Sequence, residues 1–254
     1  MQNQTRIVIE NIKPQLDCGV NPIKRIENQN VNVSADVFSD GHDVIQCCVK
    51  FKHEKDKNWQ EVRMNSVGNE SWNASFKVEK QGFYNYFVEG WVDYALNWQH
   101  GILRKIQDNQ YVKSELLEGA DYVRAILDEV DSNEKDYLNT LVYYFTTESE
   151  YENAIREATS EHLHHIFKKH PKRFLANKSS DLRVYVDRKK ALFSTWYEFF
   201  PRSASSEEGK HGTFKDCERL LPRVASMGFD TLYFPPIHPI GEVNRKGKNN
   251  ATNA

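Results

Sequence analysis

No run of apolar residues approaches the roughly 20 needed to cross a bilayer as a helix, and the first residues, MQNQTRIVIE, lack the basic-then-apolar layout of a secretory leader. Both absences point to the cytoplasm. An excess of one charge is missing too: 34 Lys and Arg against 36 Asp and Glu leave a net charge of -2 over 254 residues. That balance excludes a general electrostatic pull toward nucleic acid or anionic lipid. Cysteine is scarce. The four present, Cys18, Cys47, Cys48 and Cys217, show no CxxC spacing, so neither a thiolate metal site nor a disulfide framework is expected, and they read as small buried apolar side chains. Cys47 and Cys48 are adjacent in a strand-like run and fall on opposite faces of it. There is no G-x-G-x-x-G, no P-loop and no G-x-S-x-G. No cofactor is implied, and phosphate-cradling and serine-esterase chemistry have no support.

What remains is an ordinary globular composition, 39% hydrophobic and 28% charged, with a generous 12% of aromatics. The pattern divides the chain into three regions: 1–110, 111–180 and 181–254. In the first the period is two. In "VNVSADVF", Val31, Val33, Ala35 and Val37 share one face and Asn32, Ser34 and Asp36 the other, as in a half-buried strand. Similar runs follow at "VIQCCVKFK", "WQEVRM", "SWNASFKVEK" and "GFYNYFVEGWVD", separated by turn signals such as Ser39-Asp40-Gly41 and Val67-Gly68-Asn69. Short strands repeated at this spacing imply an antiparallel β-sandwich of immunoglobulin type. Tyr84, Tyr86 and Val88 share one face of the aromatic strand and Phe83, Asn85 and Phe87 the other. Its aromatics therefore read as core rather than as a sugar-stacking platform, with Trp91 and Trp98 the ones expected at the surface.

From 111 the period becomes helical. Leu116, Ala120, Val123, Leu127 and Val130 step by three or four, with Ser114 as the expected N-cap. A second helix is entered by Asp131 with Glu134 three residues on, and a third by Ser149 with Glu152, running to His170-Pro171. Together they predict a small helical bundle inserted after the sandwich. His162 and His165 stand at i, i+3, close to a metal-ligand spacing. No H-E-x-x-H accompanies them, and they read as a solvated basic helix end rather than a metal site.

The third region reads strand, helix, strand. "LRVYVD" and "STWYEFFP" predict strands; "TFKDCERLLPRVASMG" predicts a helix begun by Thr213 and Asp216, kinked by Pro222 and stopped at Gly228; "FDTLYFPPI" predicts the next strand. This is a right-handed βαβ unit. A parallel sheet needs neighbours on both sides, so the sequence is expected to be the leading part of a longer chain. "WYEFFPRS" sets a carboxylate and a guanidinium at a strand's C-terminal end, where barrel active sites form. In "PPIHPIGEVNRKGKNN", Arg245, Lys246 and Lys248 are donors, and Asn249 and Asn250 are amides able to bridge sugar hydroxyls. Such a loop binds a polar or anionic ligand but holds no nucleophile or paired carboxylate; a solvated basic loop is the plain alternative.

The last stretch, "STWYEFFPRS…HGTFKDCERLLPRVASMGFDTLYFPPIHPIGEVNRKGKNN", resembles the first strand, helix and second strand of the catalytic (β/α)8 barrel in the alpha-1,4-glucan:maltose-1-phosphate maltosyltransferases, a branch of the alpha-amylase superfamily. "IENIKPQLDCGVNPIKRIENQNVNVSADVFSDGHDVI" and "YVKSELLEGADY" look like that family's N-terminal sandwich and the start of its helical insert. The resemblance implies a retaining enzyme that moves maltosyl units from alpha-maltose 1-phosphate to alpha-1,4-glucans with release of phosphate. It also implies a homodimer formed through the N-terminal domains. The family's nucleophilic Asp and acid/base Glu lie on later barrel strands, so no catalytic residue carries over and the fragment itself is expected to be inactive. By motif, Lys246 is similar to the family's maltosyl-contacting lysine, and the resemblance implies that Asn249 and Asn250 shape the same donor pocket. Lys248 replaces the usual arginine of the motif, keeping charge and losing the bidentate fork. An alpha-amylase-type hydrolase and a non-catalytic glucan-binding or dimerisation module are the competing readings.

Overall fold

A computed structural model describes residues 5–239 and 241–252. Ile240 of the "PPIHPIG" motif lies outside them. The chain forms two compact units, 1–187 and 188–254.

The first unit begins with eight strands: β1 (Val8–Lys13), β2 (Ile23–Ile26), β3 (Asn30–Phe38), β4 (Ile45–His53), β5 (Gln60–Arg63), β6 (Asn65–Gly68), β7 (Ser71–Lys77) and β8 (Gly82–Val92). Five helices follow: α1 (Tyr94–Gln107), α2 (Lys113–Ile126), α3 (Ser132–Thr146), α4 (Tyr151–Ala158) and α5 (Glu161–Lys169). Two more strands, β9 (Asn177–Lys178) and β10 (Leu182–Asp187), complete the unit. One sheet has the order β1-β3-β7-β6 and the other β2-β10-β8-β4-β5, with β9 pairing β8 just beyond β10. Both sheets bury side chains in one shared core: Val31, Val33, Ala35 and Val37 of β3 join Cys47, Val49 and Phe51 of β4 and Tyr84, Tyr86 and Val88 of β8. The alternation that marked these strands in the sequence is the alternation of core and outer faces.

The strand "LRVYVD", expected to open the third region at 181, instead belongs to this first unit. It runs antiparallel to β8, with Val184 opposite Tyr84, and parallel to β2, with Val184 opposite Ile23. Leu182, Val184 and Val186 are its buried residues. Their partners lie about 100 residues upstream in β8 and about 160 upstream in β2, and alternation within a strand gives its faces but not its neighbours.

The helical layer also starts earlier than expected. "YALNWQHG" is the opening of α1, N-capped by Asp93, whose carboxylate accepts from the Leu96 amide at 3.1 Å. Trp91 and Trp98, expected at the surface, are buried, with 0% and 6% of their surfaces exposed. Trp98 donates from Nε1 to Glu115 O at 2.7 Å and packs among Tyr122, Phe145 and Phe167. Trp91 is on the outer face of β8, covered by two guanidinium groups, Arg63 at 4.6 Å and Arg173 at 4.2 Å. Asp131 caps α3 as expected, but Ser114 lies inside α2, which follows Val112 without a side-chain cap. The single helix expected from Ser149 is two, α4 and α5, because Ser160 breaks the run and caps the second through the Leu163 amide.

Cys47 faces the shared core and Cys48 the opposite side, where its sulfur is 3.9 Å from Glu61 Oε2. Burial pushes the Cys48 thiol up to about 11. Among the described residues no group of His, Cys, Asp and Glu is placed to hold a metal ion, and no helix is long and apolar enough to cross a membrane.

The second unit holds β11 (Trp196–Glu198), α6 (Phe214–Ser226) and β12 (Thr231–Tyr233). The two strands are parallel, with Trp196 opposite Thr231 and Glu198 opposite Tyr233. This is the expected strand, helix, strand unit. Thr213 and Asp216 form the capping box of α6, and Gly228 ends it at φ +84°, a left-handed conformation that glycine takes without cost. Asp230 joins the two strand starts by accepting from the Thr195 amide at 3.1 Å.

Candidate functional site

In the second unit the chain leaves both parallel strands on the same side. The segment after β11 turns at Pro201–Ala204, and the segment after β12 runs through Pro235 and Pro236. Between them and the first residues of α6 is a cleft of about 320 Å³, lined by Phe200, Arg202, Thr213, Phe214, Ile237 and His238 among others. It therefore lies at the carboxyl ends of parallel strands, the edge at which α/β sheets take their ligands.

Local packing holds its walls. Phe234 stacks against Phe214 at 6.1 Å and meets Phe199 edge-on at 5.3 Å, which ties the loop after β12 to the helix and to the loop after β11. Gly212 donates its amide to Arg202 O at 2.8 Å. A Cβ at Gly212 would come within 2.3 Å of Pro201 O and 2.7 Å of the Ser205 amide, so only glycine permits this approach of the two segments. Asp216 accepts from both the amide and the hydroxyl of Thr213, at 2.8 Å each, and these bonds hold its carboxyl below the usual carboxylate range. The helix N-terminus at the cleft is thus already supplied with its own carboxylate. Cleft charge comes from the exposed Arg202 guanidinium, and His238 adds an imidazole. Apolar walls with one cation and an imidazole can bind and orient an anionic or hydroxylated ligand; they include no nucleophile paired with a base.

Of the residues singled out in the sequence, Arg202 lines the cleft, while Glu198 stands exposed at the end of β11. Lys246, Asn249 and Asn250 lie further along the segment after β12. All three are exposed, none lines the cleft, and among the described residues none has a side-chain partner. Asn249 and Asn250 take left-handed φ values of +55° and +62°, and Gly247 closes the turn by donating to Ala251 O at 2.7 Å. The turn leaves its amide and ammonium groups exposed. His238, Phe214 and Gly212 were not singled out in the sequence, since an isolated His, Phe or Gly in a loop carries no periodic signal.

Comparison with known proteins gives a consistent result. The family model described as alpha-1,4-glucan:maltose-1-phosphate maltosyltransferase, domain N/S, matches residues 5–188. The alpha-1,4-glucan:maltose-1-phosphate maltosyltransferase of Methylacidiphilum infernorum is 42% identical over 253 residues, covering 99% of this chain and 38% of that protein. Those of Chlorobaculum tepidum and Myxococcus xanthus are 43% and 37% identical, over 97% and 96% of this chain and 37% and 38% of theirs. The chain thus spans well under half the length of the curated relatives it matches. Because the family model covers most of the chain, and its match ends where the first compact unit ends, the chain belongs to the alpha-1,4-glucan:maltose-1-phosphate maltosyltransferase domain N/S family.

Proposed function

We propose that this chain is part of a maltosyltransferase that moves maltosyl units from alpha-maltose 1-phosphate to alpha-1,4-glucans and releases phosphate. The observation that carries this is the match itself: relatives bearing that name align with 97–99% of this chain at 42–43% identity, through both compact units. On this reading the two facing sheets are an immunoglobulin-type sandwich, the five helices its insert, and the second unit the opening βαβ of a (β/α)8 barrel. The uncovered aromatics of that unit support the last point, since Trp196 and Phe200 are each 60% exposed, as expected of a sheet that packs against further strands.

Lys246, Asn249 and Asn250 form the donor-binding wall in this proposal. They stand on the segment that leaves β12 at its carboxyl end, and their unpartnered donors suit sugar hydroxyls. The sandwich and helices serve as the platform for a homodimer in the cytoplasm. The test is phosphate release by the complete gene product given alpha-maltose 1-phosphate with and without a malto-oligosaccharide. Release that depends on the oligosaccharide and falls at least tenfold in Lys246→Ala supports the proposal. Starch hydrolysis without a phosphorylated donor would favour the hydrolase, and no turnover of either kind would leave only a binding or assembly module.

A further inference from the structure

In the first unit a second cleft, of about 360 Å³, opens between α1 and the junction of α4 with α5. Its apolar walls include Val44, Leu96 and Leu103, and its polar groups include Ser160, Glu161 and His164. The volume is within the range of ligand clefts, about 300–1,000 Å³.

A buried glutamine fixes the chemistry of this cleft. Gln99 is only 7% exposed, and its Nε2 lies 3.1 Å from both Ala158 O and Ser160 O. Two carbonyls can be met only by an NH2 group, so the amide has a single possible orientation and its Oε1 must be an acceptor. That oxygen is 3.0 Å from His164 Nδ1, which must therefore carry the proton. In the neutral ring the lone pair is then on Nε2. This atom has no protein partner among the described residues and is not among the buried unpartnered atoms, so it remains open to a ligand.

We infer that this cleft is a binding site for a neutral, polyhydroxylated ligand of sugar type, with His164 Nε2 accepting a hydroxyl proton. No Lys or Arg is among the residues that line the cleft, where the side-chain nitrogen groups besides Gln99 are the imidazoles of His100 and His164, and this lining disfavours phosphates and other anions. An ammonium ligand would meet one carboxylate, Glu161, on the first turn of α5, where the helix N-terminus already compensates part of its charge. Without a second carboxylate the cation would not recover its lost hydration. A neutral ligand that places C–H groups against the aliphatic walls and hydroxyls on the acceptors meets neither penalty.

Long-range proton–nitrogen NMR of the histidine rings tests this on the intact chain. The free protein should show His164 with the proton on Nδ1, and glucose or maltose at millimolar concentration should shift His164 Nε2 saturably, while inorganic phosphate and ethanolamine should not. His164→Phe should weaken the sugar response, read at the other cleft residues, at least tenfold with far-ultraviolet circular dichroism unchanged. Leu103→Trp, at a half-open wall position, should block the site without touching the Gln99–His164 pair. A proton on Nε2, no saturable shift with either sugar, a response to phosphate or ethanolamine in place of the sugars, or sugar binding unchanged in both variants would overturn the inference.

Discussion

The guanidinium of Arg173 lies 4.2 Å from the ring centre of Trp91 and reaches Glu89 Oε2 and Glu61 Oε1, each at 2.7 Å. Arg173 follows α5, whereas Glu61, Glu89 and Trp91 belong to β5 and β8. One side chain thus fastens the end of the helical layer to the outer face of the sheet. Arg63 adds a second tie, covering the same ring and donating to Lys168 O at 3.3 Å.

Arg173→Ala should therefore cost more than a surface ion pair. The pairs are only partly exposed, so the expected loss is about 1–3 kcal/mol, below the figure for a fully buried pair. Arg173→Lys should fall between, because an ammonium cannot bond two carboxylates as a planar fork and also stack on the indole. Urea unfolding gives both values; a loss under about 0.5 kcal/mol for the alanine variant would place it with ordinary surface ion pairs.

Gly119 in α2 is in contact with the Trp98 ring, where a Cβ would come within 2.1 Å of Cζ2. Alanine normally favours a helix over glycine by about 1 kcal/mol. Here the clash should reverse the sign, and Gly119→Ala should destabilise by about 1–3 kcal/mol. A stabilised variant in thermal unfolding would show that the indole moves freely.

Asp93 is 2% exposed; its Oδ1 caps α1 and its Oδ2 has no hydrogen-bond partner. Desolvation raises its carboxyl above the ordinary value, against the pull of the Leu96 amide and of Arg63, with Trp91 and His164 also nearby. A raised folded-state value means the group's contribution is full at low pH and is lost as pH rises through that value. Asp93→Asn keeps the cap without the charge. Its stability relative to the parent should be greatest near pH 7 and should shrink as pH falls through the raised value toward about 4. Asp93→Ala, which also removes the cap, should lose about 0.5–2 kcal/mol. A gap that widens on acidification would contradict the assigned shift.

Legibility in the sequence followed locality. The β3 pattern, the Asp131 cap and the Thr213–Asp216 box are signals within a few residues of the structure they specify, and each is where its pattern placed it. Long-range partners were not legible. β10 reads as a strand, yet nothing in "LRVYVD" says that it inserts between β2 and β8. Trp98 sits in a polar-flanked stretch that suggests exposure, and only the docking of α2, α3 and α5 buries it. Substituting Trp91 or Trp98 would therefore report on folding and could not serve as a probe of glucan binding. The Gln99–His164 pair joins residues far apart in the sequence, and Lys246, Asn249 and Asn250 were singled out by resemblance of their motif rather than by their surroundings.

The decisive measurement is mass spectrometry of the oligosaccharides made by the complete gene product from alpha-maltose 1-phosphate and maltohexaose. Maltosyl transfer predicts a ladder that grows by two hexose units at each step, with one phosphate released per step. Free maltose in place of the ladder, or growth by single hexose units, would contradict it.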